Sequence, residues 1–351
     1  MKVFRYPENP LVRPADVKPS LPGYEVLCAF NAGAIEHNGE VLLLMRVAER
    51  PVCQRPNTVL APVLDRDNPA GPLKVLEFDR TDPGIDFSDP RVIVTPGGMF
   101  LTTISHFRIA RSSDRRIFTV DETPALWPDR DYEIFGIEDP RITRLGDEYL
   151  IVYKGVAPYA ITQCLATTRD FVRFEKRGII FCPENMDAMI FPEKIHGKYA
   201  ALHRPMPRYM GAPNMWLAYS DDLVHWGEHK FLMGCSEGTW EGGRIGGGAV
   251  PFRTEQGWLE IYHAATTDER YCLGAVLLDS DNPEKVIAKS PSPILEPQAD
   301  YEVNGFKNNV VFTCGAIVRG DTVSIYYGAS DETMAGADLS VSEMVASLKP
   351  V

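Results

Sequence analysis

Short apolar stretches and polar turns alternate along this chain, and five times the alternation takes the same form. An apolar stretch runs into a turn that contains glycine and returns as a second apolar stretch ending in Tyr, His or Arg. The turn glycines are Gly39, Gly146, Gly197, Gly257 and Gly320. Short apolar runs bounded by glycine turns are typical of strands, so each copy is predicted to be a β-hairpin.

A second hairpin pattern follows most copies: a strand, a turn of Ser, Thr or Asp, and an aromatic or apolar return strand. It starts at Phe107, Cys164, Trp216 and, in a weaker form, Cys272. One unit is therefore four antiparallel strands, which cannot bury both faces of its sheet alone. Radial stacking of five units buries those faces, so we predict an all-β fold, a five-bladed β-propeller with a short C-terminal helix. An open sandwich would leave sheet edges exposed.

The spacing of the repeats predicts a single domain over residues 1–351. The last four turn glycines are 51, 60 and 63 residues apart, whereas the first gap is 107 residues, which predicts an insertion-rich first blade over residues 51–135. Residues 1–30 are rich in proline and are predicted to wrap the surface or close the ring. A cap residue and apolar residues at helical spacing predict a helix over residues 338–348.

Composition narrows the class of protein. A net charge of −12 argues against nucleic acid or an anionic membrane as a partner, because both need a basic field. The seven cysteines are scattered without a C-x-x-C pair, so neither a disulfide framework nor a zinc site is expected. The first residues lack the apolar core of a secretory signal. We therefore expect reduced thiols in a cytoplasmic protein, with no metal.

Aligning the copies on their turn glycines points to one acid. Asn31 and Asp139 lie at the start of the first strand in copies one and two. The other copies place apolar or neutral residues near that position: Ile190, Val250 and Thr313. An acid that breaks the pattern of the repeat is the kind of exception expected at a functional site.

The neighbours of Asp139 support a role as a general acid. Pro140 should restrict Asp139 to an extended backbone, and the like charge of Glu138 could raise the pKa of a buried carboxyl toward neutrality. The alternative is an Asp that only caps a turn, which the repeat comparison makes about as good an explanation.

Basic residues gather at the ends of the return strands. Arg46 and Arg204 stand seven residues after their turn glycines, and His203 and His263 stand six residues after theirs. Strand alternation should turn Arg204 and His203 to opposite faces. Arg244 lies in a window with five glycines, residues 242–248, where backbone can approach a ligand closely. Such a cluster suits a phosphate-sized anion, although each arginine could instead pair with a carboxylate between blades.

The strings EDPR, FPEKI, ALHRP, GGRIGGG, GWLEIYH and YYGASD, in this order, resemble the β-mannoside phosphorylases of glycoside hydrolase family 130. The resemblance covers nearly the whole chain. It implies a five-bladed propeller with its site on the axis, and inverting phosphorolysis of a β-mannoside to α-mannose 1-phosphate. The opening segment, FRYPENPLVRPADVKP, looks most like the branch that acts on β-1,2-mannobiose and short β-1,2-mannooligosaccharides.

The resemblance also implies roles for individual residues. Asp139 is implied as the single catalytic acid, acting through the 3-hydroxyl of the mannosyl unit. The implied phosphate ligands are Arg204, Arg244, Tyr262, His263 and His203. The implied sugar-binding residues are Asn31, Arg46, Glu138, Asp187 and Asp331. No cofactor or metal is expected. Inorganic phosphate is expected as a co-substrate.

Two other functions stay open at this point. A β-mannoside hydrolase on the same scaffold would need a second carboxylate to activate water, and a non-catalytic sugar-binding propeller would need no acid. The basic cluster favours phosphorolysis over hydrolysis. Asp139 with Glu138 favours an enzyme over a non-catalytic sugar-binding protein. The expected partners are a β-mannoside and phosphate, and a homo-oligomer is left open.

Overall fold

The computed structural model describes residues 1–68 and 71–351 of the chain, and β-strands make up most of its regular structure. The strands up to residue 120 are β1 (Phe4–Arg5), β2 (Tyr24–His37), β3 (Glu40–Pro51), β4 (Thr58–Leu64), β5 (Leu73–Asp79), β6 (Val92–Thr95), β7 (Gly98–Leu101), β8 (Ile104–Ser112) and β9 (Thr119–Val120). Sheet I consists of β2, β3, β8 and β9 in that order. The pairs β4–β5 and β6–β7 form two separate hairpins between β3 and β8.

Sheets II and III are four-stranded meanders. Sheet II consists of β10 (Gly136–Leu145), β11 (Glu148–Ala157), β12 (Ala160–Thr168) and β13 (Glu175–Phe181). Sheet III consists of β14 (Asn185–Ile190), β15 (Tyr199–Pro205), β16 (Met215–Ser220) and β17 (Trp226–Met233). A single parallel pair, Ser105 with Gly136, links sheet II to sheet I.

The remaining strands form sheets IV and V. Sheet IV consists of β18 (Arg244–Gly247), β19 (Phe252–Thr254), β20 (Gly257–Ala265), β21 (Tyr271–Leu278) and β22 (Val286–Lys289), joined at its edge by β26 (Lys349–Pro350). Sheet V consists of β23 (Val311–Arg319), β24 (Thr322–Ala329) and β25 (Thr333–Ser340), and β1 from the start of the chain pairs with β25. The N-terminal segment therefore completes the last sheet.

Helical structure in the described part of the chain is short. It comprises α1 (Asp300–Val303), α2 (Val341–Ser347) and the 3-10 turns Pro14–Asp16 and Asp131–Glu133. Helix α2 begins three residues later than the predicted start at residue 338, because residues 338–340 still pair with β24. The Ser340 side chain accepts the N–H of Glu343 and caps the helix. Within these residues no helix has the length and apolar character needed to cross a membrane.

The hairpin turns follow from local sequence. Asn38 and Gly39 both have positive φ, 51° and 85°, as expected for the two-residue turn that an Asn-Gly pair favours. Four of the five turn glycines lie in the connections between antiparallel strands, and Gly257 is the first residue of the return strand β20, paired with Thr254. The predicted repeat of hairpins is therefore present in the structure.

Apolar side chains fill the spaces between successive sheets. One hydrophobic cluster lies between each neighbouring pair, and a further cluster joins sheet V to sheet I and includes Tyr6 and Val12 of the N-terminal segment. Close approach of the first strands needs glycine: a Cβ on Gly33 would stand 2.8 Å from the Pro140 carbonyl oxygen, and one on Gly315 would overlap Ala34. The first strands of sheets I, II and V therefore meet near one another.

Candidate active site

The first strands of sheets I, II and III are each interrupted at an equivalent position. The interrupting residues are Asn31, Asp139 and Asp187, with φ angles of 48°, 51° and 54°, and the strand register shifts at each. Asn and Asp adopt this left-handed conformation more readily than other non-glycine residues. The repeat therefore places one amide and two carboxylates at matching positions.

The expectation that Ile190 occupies this position in the third copy is wrong. Asp139 lies seven residues before Gly146, whereas Asp187 lies ten residues before Gly197. The difference arises because residues 191–198 form additional turns between β14 and β15. An acid at this position is thus shared by two sheets, and Asp139 is not an isolated exception.

The backbone of Asp139 also differs from the expectation. Pro140 does not hold it in an extended conformation, since the φ of Asp139 is 51°. The two residues together face a single residue of β11, which is the geometry of a β-bulge. Arg141 stabilises the bulge by donating Nη1–H to the Asp139 carbonyl oxygen over 3.3 Å.

Three cations lie opposite these bulges on the return strands. Arg46, Lys154 and Arg204 each pair with the residue that precedes the bulge of their own sheet. The sequence comparison identified the two arginines and missed Lys154. The lysine belongs to the same set, so the three sheets present one cation each.

Turn geometry explains why Lys154 was missed. In sheet I the two turn residues are Asn38 and Gly39, so glycine is the second of them. In sheet II the turn residues are Gly146 and Asp147, so glycine is the first. An alignment on glycine is therefore displaced by one residue in sheet II, and it points to the neighbour of Lys154.

Asp139 sits in a ring of donors and is 3% exposed. Its Oδ2 accepts from Lys154 Nζ over 2.5 Å, and its Oδ1 accepts from Asn31 Nδ2 over 3.0 Å. Arg46 lies between the two acids, with Nη1 3.4 Å from Asp139 and Nη2 2.5 Å from Glu138. The predicted acid, Asn31, Arg46 and Glu138 are therefore brought together.

These donors reverse the expected direction of the pKa. Burial alone would raise the pKa of Asp139, but the charges of Lys154 and Arg46 and the hydrogen bonds from Lys154 and Asn31 lower it below its usual range. The expectation that Glu138 raises this pKa is wrong, because Glu138 is paired with Arg46. Asp139 is a carboxylate in the unliganded protein.

A second carboxylate, Asp187, lies behind this ring and is fully buried. Its Oδ2 is 2.7 Å from Arg204 Nη2 and 3.2 Å from His263 Nε2, and its Oδ1 is 3.2 Å from Arg141 Nη2 and 3.9 Å from Lys154 Nζ. The carboxylate of Asp187 is therefore enclosed by cationic and imidazole groups. The structure does not bring it to the cavity wall with the other residues implied for sugar binding.

The nitrogens around Asp187 have unused hydrogen-bonding capacity. Within the described residues, Nε and Nη1 of Arg204 and Nδ1 of His263 are buried without a hydrogen-bond partner. Buried donors of this kind call for an acceptor, and a phosphate offers several. Burial, aided by the charges of Arg204 and Arg141, lowers the pKa of His263 to about 4 against the opposing effect of Asp187. His263 is therefore neutral at neutral pH and would contribute hydrogen bonds rather than charge.

A cavity of about 360 Å³ borders Asp139 and Lys154. Its wall includes Asn31, Arg46, Glu138, Asp139, Lys154, Arg244 and Asp331. Met99 and Leu101 of the β6–β7 hairpin also contribute, so the long insertion borders the cavity. Six of the residues implied by the resemblance therefore line one space.

The cavity wall also carries a second basic group, Arg244 and Lys307. Arg244 donates to Tyr271 over 3.0 Å and to Glu269 over 2.8 Å, and Lys307 Nζ is 2.6 Å from Glu269. Buried Nε of Arg244 has no partner within the described residues. Asp331 faces the same cavity with a pKa raised by burial, against the charges of Lys307 and Arg46.

Tyr262 lies away from the cavity, which contradicts its implied role as a phosphate ligand. Its hydroxyl donates to Glu241 over 2.5 Å, its ring stacks on Trp240, and Lys289 Nζ completes the contact 2.6 Å from Glu241. Tyr262 and His263 are consecutive on β20, so their side chains point to opposite faces. Only His263 can face Asp187.

The same arrangement occurs in two other sheets. A tyrosine of the return strand donates to a buried glutamate, which pairs with a cation of β13, β22 or β1: Tyr153, Glu133 and Lys176 in sheet II, Tyr262, Glu241 and Lys289 in sheet IV, and Tyr327, Glu302 and Arg5 in sheet V. We call these the Tyr–Glu–cation triads. They join strands within a sheet and take no part in the cavity.

His203, implied as a phosphate ligand, lies away from Asp187. Its Nδ1 lies 2.9 Å from Asn185 Nδ2, its Nε2 lies 3.1 Å from His229 Nδ1, and its ring stacks on Phe181. Burial and the charge of His229 lower the pKa of His203 to about 3. Arg204 faces Asp187 while His203 faces away, which confirms the predicted alternation.

In the described part of the chain, no three His, Cys, Asp or Glu side chains are arranged to hold an ion. All seven cysteines lie in that part and are free.

Comparison with known proteins places this geometry in a family. A family model described as β-1,4-mannooligosaccharide phosphorylase matches residues 100–350. The chain is 49% identical to β-1,2-mannobiose phosphorylase of Listeria innocua over 99% of both chains. This chain belongs to glycoside hydrolase family 130.

Further comparisons within family 130 agree in fold and sequence. The solved structure of the Listeria innocua enzyme in complex with β-1,2-mannobiose superposes with a TM-score of 0.96 and covers 99% of both chains. A 1,2-β-oligomannan phosphorylase of Thermoanaerobacter is 40% identical over 72% of this chain and 84% of its own length. The resemblance drawn from the sequence motifs, including the β-1,2 branch, is confirmed.

Proposed function

We propose that the protein catalyses inverting phosphorolysis of β-1,2-mannobiose or short β-1,2-mannooligosaccharides, releasing α-mannose 1-phosphate. Similarity to β-1,2-mannobiose phosphorylase over the whole chain supports the substrate class. The buried, unpartnered nitrogens of Arg204 and His263 beside Asp187 support phosphate as the nucleophile. They provide an anion site next to the acid.

We assign Asp139 as the acid that assists departure of the leaving sugar. It is the carboxylate that both lines the cavity and sits among donors able to hold a hydroxyl in place. Asn31, Arg46, Glu138 and Asp331 are assigned to the donor mannose, because all four line the same cavity.

We assign Arg204, His263 and Arg244 to phosphate. The cations Arg141, Arg204 and Lys154 surround the carboxylates Asp139 and Asp187, so positive charge is in excess before phosphate binds. An excess of this kind in a buried site attracts an anion.

Hydrolysis on the same scaffold is not favoured. An inverting hydrolase needs a carboxylate base that activates water. Asp187 is a poor base, because, although burial favours its neutral form, the charges of Arg204 and Lys154 hold its pKa well below the ordinary value. Phosphate already carries its nucleophilic oxygen and needs no such base.

We further propose that the five sheets are the blades of one five-bladed propeller domain spanning the chain, with the cavity on its axis. The hydrophobic clusters between consecutive sheets and between sheets V and I support this arrangement. The cytoplasm is proposed as the compartment, since seven free thiols suit a reducing environment. Phosphate is proposed as the co-substrate, with no cofactor, and self-association remains a prediction that sedimentation can test.

The decisive experiment is incubation with β-1,2-mannobiose, with and without inorganic phosphate, followed by product analysis. Mannose 1-phosphate that forms only with phosphate is the expected result. Free mannose without phosphate would establish hydrolysis instead, and absence of turnover on any mannoside would leave sugar binding. β-1,4-mannobiose, assayed in parallel, tests the linkage.

A further inference from the structure

Lys154 connects the two charged centres of the site. It lies on β11 with its side chain 11% exposed, and its Nζ is 2.5 Å from Asp139 Oδ2 and 3.9 Å from Asp187 Oδ1. Asp187 in turn contacts Arg204 and His263, the groups assigned to phosphate. A short movement of one ammonium group therefore spans the distance between the acid and the anion site.

The charge state of Asp139 creates a requirement for a proton. In the unliganded protein Asp139 is paired with Lys154 and is ionised, so it holds no proton to donate. The reaction itself supplies this proton. Hydrogen phosphate loses a proton when it becomes a sugar phosphate, and the departing sugar oxygen gains a proton. The proton must travel from the phosphate side of the site to the acid side.

We propose that Lys154 relays to Asp139 the proton lost by the attacking phosphate. The inference rests on the proposed phosphorolysis. A phosphate oxygen forms the new bond to the anomeric carbon, and the bond from that carbon to the glycosidic oxygen breaks, leaving its electron pair on the oxygen. Through the 3-hydroxyl of the mannosyl unit, that oxygen takes the proton that Asp139 has received from the Lys154 ammonium, and the Lys154 amine recovers a proton from the phosphate. No proton or electron is gained or lost overall.

Burial favours such a transfer once substrates fill the cavity. A neutral amine and carboxylic acid avoid the cost of keeping an ion pair in a space from which water is excluded. Arginine could not do this, because its guanidinium keeps its proton in proteins. The site uses arginine at the equivalent positions in sheets I and III, and lysine in sheet II, where Nζ lies 2.5 Å from Asp139 Oδ2.

The alternative is that Lys154 only binds phosphate through its charge. Lys154→Arg separates the two roles, since it keeps the charge and removes the transferable proton. Lys154→Met removes both. An activated substrate, 2,4-dinitrophenyl β-mannoside, also distinguishes proton relay from phosphate binding, because its leaving group departs without protonation.

The test measures kcat and the KM for phosphate with both substrates. On β-1,2-mannobiose we expect both variants to lose about a hundred-fold or more in kcat, on the scale of a general acid. On the activated mannoside the expected loss in kcat is less than about ten-fold. Lys176→Met is the matched control, because Lys176 also pairs with a buried carboxylate, Glu133, yet lies in a Tyr–Glu–cation triad outside the cavity. Lys176→Met should leave the ratio of kcat on β-1,2-mannobiose to kcat on the activated mannoside unchanged.

Two results would overturn the relay. One is near wild-type turnover of β-1,2-mannobiose by Lys154→Arg, and the other is an equal loss on both substrates accompanied by a raised KM for phosphate. If Lys154→Met does not fold, or the activated mannoside is not a substrate, turnover of β-1,2-mannobiose by Lys154→Arg decides alone. A wild-type protein inactive on β-1,2-mannobiose would instead reject the proposed function itself.

Discussion

The two faces of the return strands use buried charge in opposite ways. On one face, Glu133, like the glutamates of the other Tyr–Glu–cation triads, is bonded from several sides: it accepts from Tyr153, Lys176 and the backbone N–H groups of Asp129 and Arg130. On the other face, the groups around Asp187 include buried guanidinium and imidazole nitrogens with no partner in the described chain. Both faces are buried, so burial alone does not distinguish them.

The two faces differ in whether their buried polar groups already have hydrogen-bond partners. A carboxylate whose lone pairs are taken by hydroxyl, backbone and cation stabilises strand pairing and has no capacity left for a ligand. A cluster with unused donors gains from an added anion. Unused donors beside a cavity, more than the presence of charge, identify this site.

The largest expected effect comes from Asp139→Asn, which removes the acid while preserving its shape. Because a positioned general acid contributes on the order of a hundred- to ten-thousand-fold, kcat on β-1,2-mannobiose with phosphate should fall by that range. The melting temperature should stay close to that of the wild type.

Glu133→Gln is the control for that variant, since it alters a buried acid of a triad in the same sheet. It should keep kcat and lower the free energy of unfolding by roughly 1–3 kcal/mol. If Asp139→Asn retained more than half of the activity, the assignment of the acid would be wrong.

Arg204→Ala tests the unused donors. Charge-assisted hydrogen bonds are worth roughly 1.5–3 kcal/mol each, so the KM for phosphate should rise about ten- to hundred-fold and the KM for mannobiose much less. Arg204→Lys should rescue poorly, because lysine lacks the planar fork.

Arg111→Ala is the matched control for Arg204, since Arg111 pairs with Asp121 at the edge of sheet I, away from the cavity. Its kinetics should match the wild type. A parallel rise of both KM values in Arg204→Ala would place Arg204 in the scaffold instead of the phosphate site.

Tyr262→Phe separates the two faces on a single strand. The variant removes one donor from buried Glu241 and leaves Lys289 in place, so the free energy of unfolding should fall by about 1–2 kcal/mol in urea denaturation. The KM for phosphate should not change, because Tyr262 points away from the cavity. A KM increase as large as that of Arg204→Ala would restore Tyr262 as a phosphate ligand.

The smallest effect concerns pH. Burial raises the pKa of Glu260 to about 8, against the Gly248 N–H bond and the Arg141 charge. Because this pKa is raised above that of the unfolded chain, the folded state binds more protons, and its stabilising contribution is lost as pH rises toward 8. Glu260→Gln should therefore lose less thermal stability between pH 6.5 and 8 than the wild type. Equal slopes in the two proteins would show that Glu260 does not titrate in this range.

Much of the molecule was predictable from local pattern. Alternation and turn glycines are properties of a few consecutive residues, so the hairpins, their repetition and their all-β class follow from sequence alone. Alignment on the turn glycines located Asp139, Arg46 and Arg204, because the distance of these residues from a turn is nearly constant.

Tertiary structure decided what depends on register and on packing between sheets. One residue of difference in turn geometry concealed Lys154, and the longer connection of sheet III concealed the equivalence of Asp187 with Asp139. The direction of the Asp139 pKa depends on cations from two sheets, Arg46 of sheet I and Lys154 of sheet II. Side-chain direction reverses with every residue along a strand, and only contacts across the fold show that His263 faces the site while Tyr262 faces Glu241.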